Sequence, residues 1–159
     1  MRRTGIVLAL LFGVAAASLP AIGRGDFDRV VDFSVTLKTL AAAADGATAL
    51  PTARMLVLSG TVSSITILNK DEPTFKVRIE LIAGEWFGTE DVKAYACYVD
   101  FSGPVYFAAF PPRAPAQPGP GVIVQSVRVL VAGRALSIVT TPLGDKRVLL
   151  EGAYVRAIE

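Results

Sequence analysis

Histidine is absent from the 159 residues of this chain, and its absence limits the chemistry that the chain can perform. Histidine is the most common general base near neutral pH and the most common protein ligand of transition metals. The sequence also lacks the Ser-x-x-Lys, Gly-x-Ser-x-Gly and glycine-rich phosphate-binding motifs of other catalytic or nucleotide sites. We therefore expect a protein that is not an enzyme and that binds no cofactor and no metal.

Acidic pairs offer the remaining routes to chemistry. Asp71-Glu72 and Glu90-Asp91 fall in predicted turns, where solvation explains them, and a weak calcium site between the two loops is the alternative. A glycosidase needs two carboxylates that face each other, and Glu80, Glu85 and Asp100 are the candidates near the strands. Because strand alternation places Glu80 on the solvated face, we do not predict this activity.

Cysteine occurs once, at Cys97, so no disulfide can form within the chain. Cys97 lies in the apolar phase of a predicted strand, which indicates a small buried side chain. An intermolecular disulfide or a reactive thiol is the alternative.

Long apolar runs are confined to the first residues. A basic start, Met1–Thr4, precedes an uncharged run, Gly5–Ala17, that is too short for a comfortable membrane span. This pattern predicts a signal peptide over residues 1–23, with cleavage after Gly23, Ala21 or Ala17, and a periplasmic or secreted protein. The alternative is an uncleaved anchor, and we expect membrane contact only in that case.

Net charge is small. Without residues 1–23 the count of Lys and Arg falls from 16 to 14 and equals the 14 Asp and Glu. A neutral chain has little long-range attraction for nucleic acid, which we therefore expect to be an unlikely partner. Residues 102–159 carry six basic and three acidic residues, an excess that we interpret as solvated surface.

Alternating apolar and polar residues predict a mainly β protein. The predicted strands are Met55–Leu68, Thr74–Phe87, Val92–Phe101, Val122–Val131, Ala135–Thr141 and Lys146–Ile158, with breaks at Gly133-Arg134 and a hairpin turn at Pro142–Asp145. Gly60 within the first strand indicates a bulge or sharp bend, so that one strand serves two parts of a curved sheet.

Residues 26–44 have two possible structures. Asp26 can cap a helix that runs to Ala44, whereas the alternation around Phe33–Leu37 favours a strand. The resulting organisation is a leader at 1–23, an N-terminal helix and linker at 24–54, and a β-barrel domain at 55–159.

Two segments carry features of binding sites. Trp86 lies between Gly84 and Gly88, where an exposed ring would form a stacking platform, although we favour a role in closing the core. The proline-rich loop at 111–121 is either a docking loop for a partner, with Pro112, Arg113 and Pro115 as contacts, or a stiff connector, which we favour.

Three motifs give the chain a family resemblance. Val57–Ile65, Ala96–Phe101 and Pro120–Val124 resemble the exported OB-fold domains grouped as tRNA-anticodon-binding-like, with the BOF-like periplasmic proteins as cousins. The resemblance implies a small Greek-key barrel of five or six strands with an N-terminal helix.

The sequence thus predicts a non-catalytic envelope protein that binds an oligosaccharide, a peptide or a protein partner. Its predicted ligand contacts are Arg78, Trp86, Tyr98 and Arg128 on the polar side of the middle strands. The alternative is a structural or assembly subunit of an envelope complex. A nucleic-acid-binding OB protein ranks last.

Overall fold

The structure is a computed structural model that describes residues 29–88, 91–113 and 115–158. The predicted leader at 1–23 and the predicted helix cap Asp26 lie outside these ranges. Within them, no helix has the length and the hydropathy that crossing a bilayer requires.

Six strands and an α-helix of eight residues are the main elements of the described chain, with short 3-10 helices at Glu72–Thr74 and Pro104–Tyr106. In order these are β1 Val31–Asp32, α1 Leu37–Ala44, β2 Met55–Asn69, β3 Lys76–Phe87, β4 Asp91–Ser102, β5 Arg128–Thr140 and β6 Lys146–Ala157. The strand order is β1-β2-β3-β4-β6-β5, and a further pairing of β2 with β5 closes the sheet on itself. A five-stranded Greek-key barrel with this closure is an OB-fold, so the predicted fold class is confirmed.

Strand β2 belongs to both sides of the barrel because it bends at Gly60. Its first half, Leu56–Thr61, pairs with β5, and its second half pairs with β3 from Thr61 onwards. A Cβ atom at Gly60 would lie 2.7 Å from the carbonyl oxygen of Ile82, so only glycine permits this approach. The predicted bend is confirmed.

The core fills the barrel with aliphatic side chains and closes one end with stacked aromatic rings. The Phe101 ring lies 5.6 Å from that of Phe110 and 4.9 Å from that of Tyr106, measured between centroids. Cys97 is fully buried among these strands, as predicted, and burial raises the pKa of its thiol.

The predicted helix at 26–44 is interrupted at residues 31–36, since residues 29–30 are helical and the chain then leaves the helix. Val31–Asp32 instead pairs in parallel with Met55–Leu56, and the Asp32 carboxylate accepts a hydrogen bond from the backbone of Ser34 that turns the chain. Helix α1 begins at Leu37, after the capping residue Thr36. Both patterns in the sequence are therefore real, and each governs a different part of the segment.

The predicted break at Gly133 is also wrong, since β5 runs through it without interruption. A Cβ atom at Gly133 would lie 2.6 Å from the carbonyl oxygen of Glu151, so this glycine allows close strand approach. Residues 122–127 form a loop, and the strand predicted there begins later, at Arg128. The hairpin turn is confirmed: Thr141 donates its backbone N–H to the Asp145 carbonyl at 2.7 Å.

Candidate functional site

Two of the predicted contact residues, Arg78 and Tyr98, lie side by side on the outer face of β3 and β4. The Arg78 guanidinium lies 5.4 Å from the centroid of the Tyr98 ring. It also donates two hydrogen bonds to Asp100, at 2.7 and 2.9 Å, which raise the pKa of Arg78. This arginine is therefore already occupied by a carboxylate within the protein.

The surroundings of this pair are rich in carboxylates. Asp100 is only 8% exposed, Glu151 lies directly opposite it on β6, and Glu80 lies opposite Tyr98. Besides Arg78, the nearby cations are Lys76, whose ammonium lies 3.6 Å from Asp100, and Arg134, which lies opposite Glu151 on β5. The cations of this face are balanced by its carboxylates, so its middle offers little net attraction to an anionic ligand.

The other two predicted contacts lie elsewhere. Trp86 pairs with Val92 near the end of the β3–β4 hairpin, and six residues separate it from Glu80, a distance of about 20 Å along a strand. Arg128 lies across β2, opposite Thr61. The four residues therefore do not form one site.

The end of the β3–β4 hairpin carries Trp86, the most exposed aromatic side chain of the described residues, and two further exposed apolar side chains. Trp86 is 71% exposed, Phe87 is 45% exposed and Val92 is 51% exposed. We call Trp86, Phe87, Val92 and Lys93 the aromatic hairpin. The two strands continue here beyond the barrel, and the high exposure of Trp86 shows that its predicted core-closing role is wrong.

Two lysines accompany the rings. Lys38 of α1 places its ammonium 5.6 Å from the centroid of Phe87 and 2.8 Å from a carboxylate oxygen of Glu85. This hydrogen-bonded pair raises the pKa of Lys38 and lowers the pKa of Glu85. Lys93 lies 5.6 Å from the centroid of Tyr95. Positive charge is thus held against aromatic faces at this end of the molecule.

A cleft of about 680 Å³ opens beside the hairpin, between α1, β4 and the β5–β6 turn. Four cationic and two acidic residues line it, together with several alanines; the charged residues are Lys38, Lys93, Lys146, Arg147, Asp45 and Asp145. Arg147 lies 3.3 Å from Asp145, whereas Lys93 and Lys146 have no carboxylate of the described ranges within 4.0 Å. We call this the cationic cleft.

Sequence reasoning identified Trp86 but missed these cations. Lys38, Lys93 and Lys146 are distant in sequence, and only the packing of α1 and the β5–β6 turn against β4 brings them together. No local motif marks them. Exposed flat rings next to a cleft lined by four cations suit an anionic ligand that itself carries flat rings.

The proline-rich loop lies on the surface, as its composition predicts. Pro112 and Pro115 line an apolar groove of about 240 Å³ together with Ile65, Ile67 and Phe110, and Arg113 is exposed. A role in partner docking stays a prediction. Among the described residues, which exclude Glu90, no three His, Cys, Asp or Glu side chains are grouped to hold a metal ion.

Comparison with known proteins gives matches of structure alone. No protein-family model and no curated protein matches the sequence. Solved structures do match, at low sequence identity and with modest TM-scores. A small single-stranded DNA-binding protein from Streptomyces coelicolor matches with a TM-score of 0.41 and 16% identity, over 65% of this chain and 91% of that one.

Two further matches have similar quality. The single-stranded DNA-binding protein of Thermus aquaticus has a TM-score of 0.42 and 12% identity, over 66% of this chain and 50% of that one. The PriB protein of Ralstonia solanacearum has a TM-score of 0.40 and 7% identity, over 66% of this chain and 97% of that one.

These matches contradict two predictions from the sequence. The predicted ligand was an oligosaccharide, peptide or protein partner of an envelope module, and nucleic acid was expected to be unlikely. The matching structures include single-stranded DNA-binding proteins, so both the predicted function and the ranking of partners are wrong. Identities this low show a shared fold alone, and the ligand of this chain must be argued from its own residues.

Proposed function

We propose that this protein binds single-stranded nucleic acid, without catalysing a reaction, at the aromatic hairpin and the cationic cleft. The observation that carries the proposal is the exposure of Trp86, 71%, and Phe87, 45%, at a hairpin end where the Lys38 ammonium lies against the Phe87 ring. Large aromatic side chains normally lose contact with water on folding, so exposed ones at a hairpin end favour a ligand.

The exposed rings favour a single strand over a duplex. Bases of a single strand can leave their own stack and lie on an aromatic side chain, at about 1–3 kcal/mol per base. In a duplex the same ring faces are covered by neighbouring base pairs. Trp86 and Phe87 are adjacent residues on opposite faces of a strand, so they present ring surfaces on both sides of the hairpin.

The cationic cleft supplies the second half of the interaction. Lys93 and Lys146 form no ion pair within 4.0 Å among the described residues, so their ammonium groups can contact phosphates, although Glu85 lies opposite Lys93 on β3. Lys38 and Arg147 are paired with carboxylates and would have to exchange them for phosphate. The alanines between the cations keep the cleft open for a sugar-phosphate backbone.

The middle of the β3–β4 face is the less suitable surface. Its arginine, Arg78, is held by Asp100, and Glu80 and Glu151 lie nearby. Lys76 and Arg134 add positive charge there, but the three carboxylates offset it, so a phosphate gains little net attraction. The binding surface therefore lies toward the hairpin end.

The test uses the fact that Trp86 is the sole tryptophan of the chain. Titration with an oligothymidylate of about 6 nucleotides, within the range of about 4–16 that one OB-fold covers, should quench its fluorescence. Trp86→Ala should weaken binding of a labelled oligomer, measured by fluorescence anisotropy, about 10- to 100-fold, which corresponds to the loss of one stacked base.

A matched control is Val105→Ala, which shortens an apolar side chain that is 76% exposed near the opposite end of β4. This variant should bind like the wild type. Unchanged binding by Trp86→Ala, or a wild-type protein that binds no oligomer at low salt, would contradict the proposal.

The compartment is a separate proposal, which rests on the sequence alone. We propose that residues 1–23 are an export leader and that the protein resembles the exported tRNA-anticodon-binding-like group, which would place it in the periplasm or outside the cell. Mass spectrometry of the purified native protein would locate its N-terminus. A chain that starts at Met1 and is recovered from the cytosol would exclude export.

A further inference from the structure

A second basic surface lies on β5 and β6, away from the hairpin and the cleft. Arg128, Tyr154 and Arg156 all point outward, and Tyr154 is 49% exposed. Arg156 lies opposite Leu130, and Tyr154 lies opposite Ala132, both of which are partly exposed. We call Arg128, Tyr154 and Arg156 the arginine face.

The two arginines are close together and have no acidic partner in the described part of the chain. Arg128 precedes Leu130 by two residues, so its Cβ atom is a diagonal neighbour of the Arg156 Cβ atom at about 7–8 Å. No carboxylate oxygen of residues 29–88, 91–113 or 115–158 lies within 4.0 Å of either guanidinium. Like charges this close repel each other, and an anionic ligand would relieve the repulsion.

A local irregularity of β6 is responsible for this arrangement. Gly152 pairs with Gly133, whereas Tyr154 pairs with the preceding residue, Ala132, and Ala153 is left without a partner. The extra residue is a β-bulge, which shifts the alternation of the strand. Without the shift, Tyr154 would share the inward phase of Gly152, and the aromatic side chain would be directed into the barrel.

The arginine face is connected to the hairpin by the outer surface of β2 and β3. Thr61 pairs with Arg128 on one side and with Ile82 on the other, and Trp86 follows Ile82 by four residues. Two strand spacings and four residues of strand give a path of about 23 Å between Trp86 and Arg128.

An opening between β2 and β3 lies along this connection. A second cleft, of about 410 Å³, is lined there by Ser59 and Gly84 and also by Lys38, which lines the cationic cleft as well. Lys38 therefore stands between the two clefts, next to the aromatic hairpin. A single-stranded nucleic acid that leaves the hairpin can follow either cleft.

We propose that the arginine face is a second contact surface for the same nucleic acid, which a longer single strand reaches from the hairpin through the cleft between β2 and β3. This inference rests on the proposed function. The guanidinium groups of Arg128 and Arg156 contact phosphates, and the Tyr154 ring, two residues from Arg156, stacks on a base.

The test compares oligothymidylates of about 6 and about 16 nucleotides, since only the longer one extends beyond the hairpin and the cationic cleft. In Arg128→Gln/Arg156→Gln, affinity for the short oligomer should equal that of the wild type. For the long oligomer, the slope of log affinity against log salt should decrease by about 1.4, the value for two phosphate contacts on a single strand.

Lys70→Gln/Arg113→Gln removes the same charge from the β2–β3 turn and the proline-rich loop, and should change neither slope. Equal slopes for the wild type and the arginine variant on the long oligomer would overturn the inference while leaving the hairpin site intact. If no oligomer quenches the fluorescence of Trp86, even in the wild-type protein, the proposed function itself would be overturned. If the arginine variant lowers the slope equally for both oligomers, the two arginines belong to the hairpin site, and this result would also contradict a separate arginine face.

Discussion

The salt dependence of binding is the most direct test of the cationic cleft, because the structure fixes how many cations can contact phosphates. Each phosphate contact on a single strand contributes a slope of about −0.7 to log affinity against log salt. Four contacts, from Lys38, Lys93, Lys146 and Arg147, give a slope of about −2.8, or about a 50-fold loss of affinity between 50 and 200 mM salt.

Existing ion pairs set the lower limit of this slope. Lys38 and Arg147 already neutralise Glu85 and Asp145, so fewer counterions are released when phosphates replace these carboxylates. If only the two unpaired lysines release counterions, the slope is about −1.4, which is about a 7-fold loss over the same range. We therefore expect a slope between these two values for an oligomer of about 6 nucleotides.

The measurement is a series of anisotropy titrations of the labelled oligomer at increasing salt. Lys93→Gln/Lys146→Gln should reduce the slope by about 1.4, whereas the matched pair Lys70→Gln/Arg113→Gln should leave it unchanged. A slope near zero, or the same reduction in both pairs, would refute the assignment of the cationic cleft. The oligomer would then be held by stacking alone or by nonspecific charge.

The strands of the barrel were predictable where the signal is local. Alternation along residues 76–87 and 91–102 reports directly which side chains face the core, and the observed ends of β3 and β4 differ little from the predicted ones. Glycine was harder to interpret, because the same residue can end a strand or let two strands approach. Gly133 was assigned the first role and has the second, which depends on Glu151 of another strand.

The candidate site was predictable only in part. The flanking glycines indicate Trp86 as a candidate. Its exposure, however, depends on how far the β3–β4 hairpin extends beyond the barrel, and local sequence patterns do not predict that length. The basic excess of residues 102–159 was visible in the sequence but was interpreted as solvated surface. The bulge at Ala153, which directs Tyr154 and Arg156 outward, becomes visible only in the pairing register of β5 and β6.

Two predictions concern stability. Arg78→Gln leaves the Asp100 carboxylate, 8% exposed, without its two charge-assisted hydrogen bonds, and should lower the free energy of unfolding by about 1.5–3 kcal/mol in urea titrations; an unchanged midpoint would contradict the importance of this pair. Gly152→Ala would bring a Cβ atom into steric clash with carbon atoms of the Phe101 ring, so the ring or the strand must shift. We expect this overpacking to cost about 1–3 kcal/mol and to lower the melting temperature. Gly119→Ala, which meets no atom within 4 Å, is the control, and equal melting temperatures for the two variants would show that the Phe101 ring can move aside without cost.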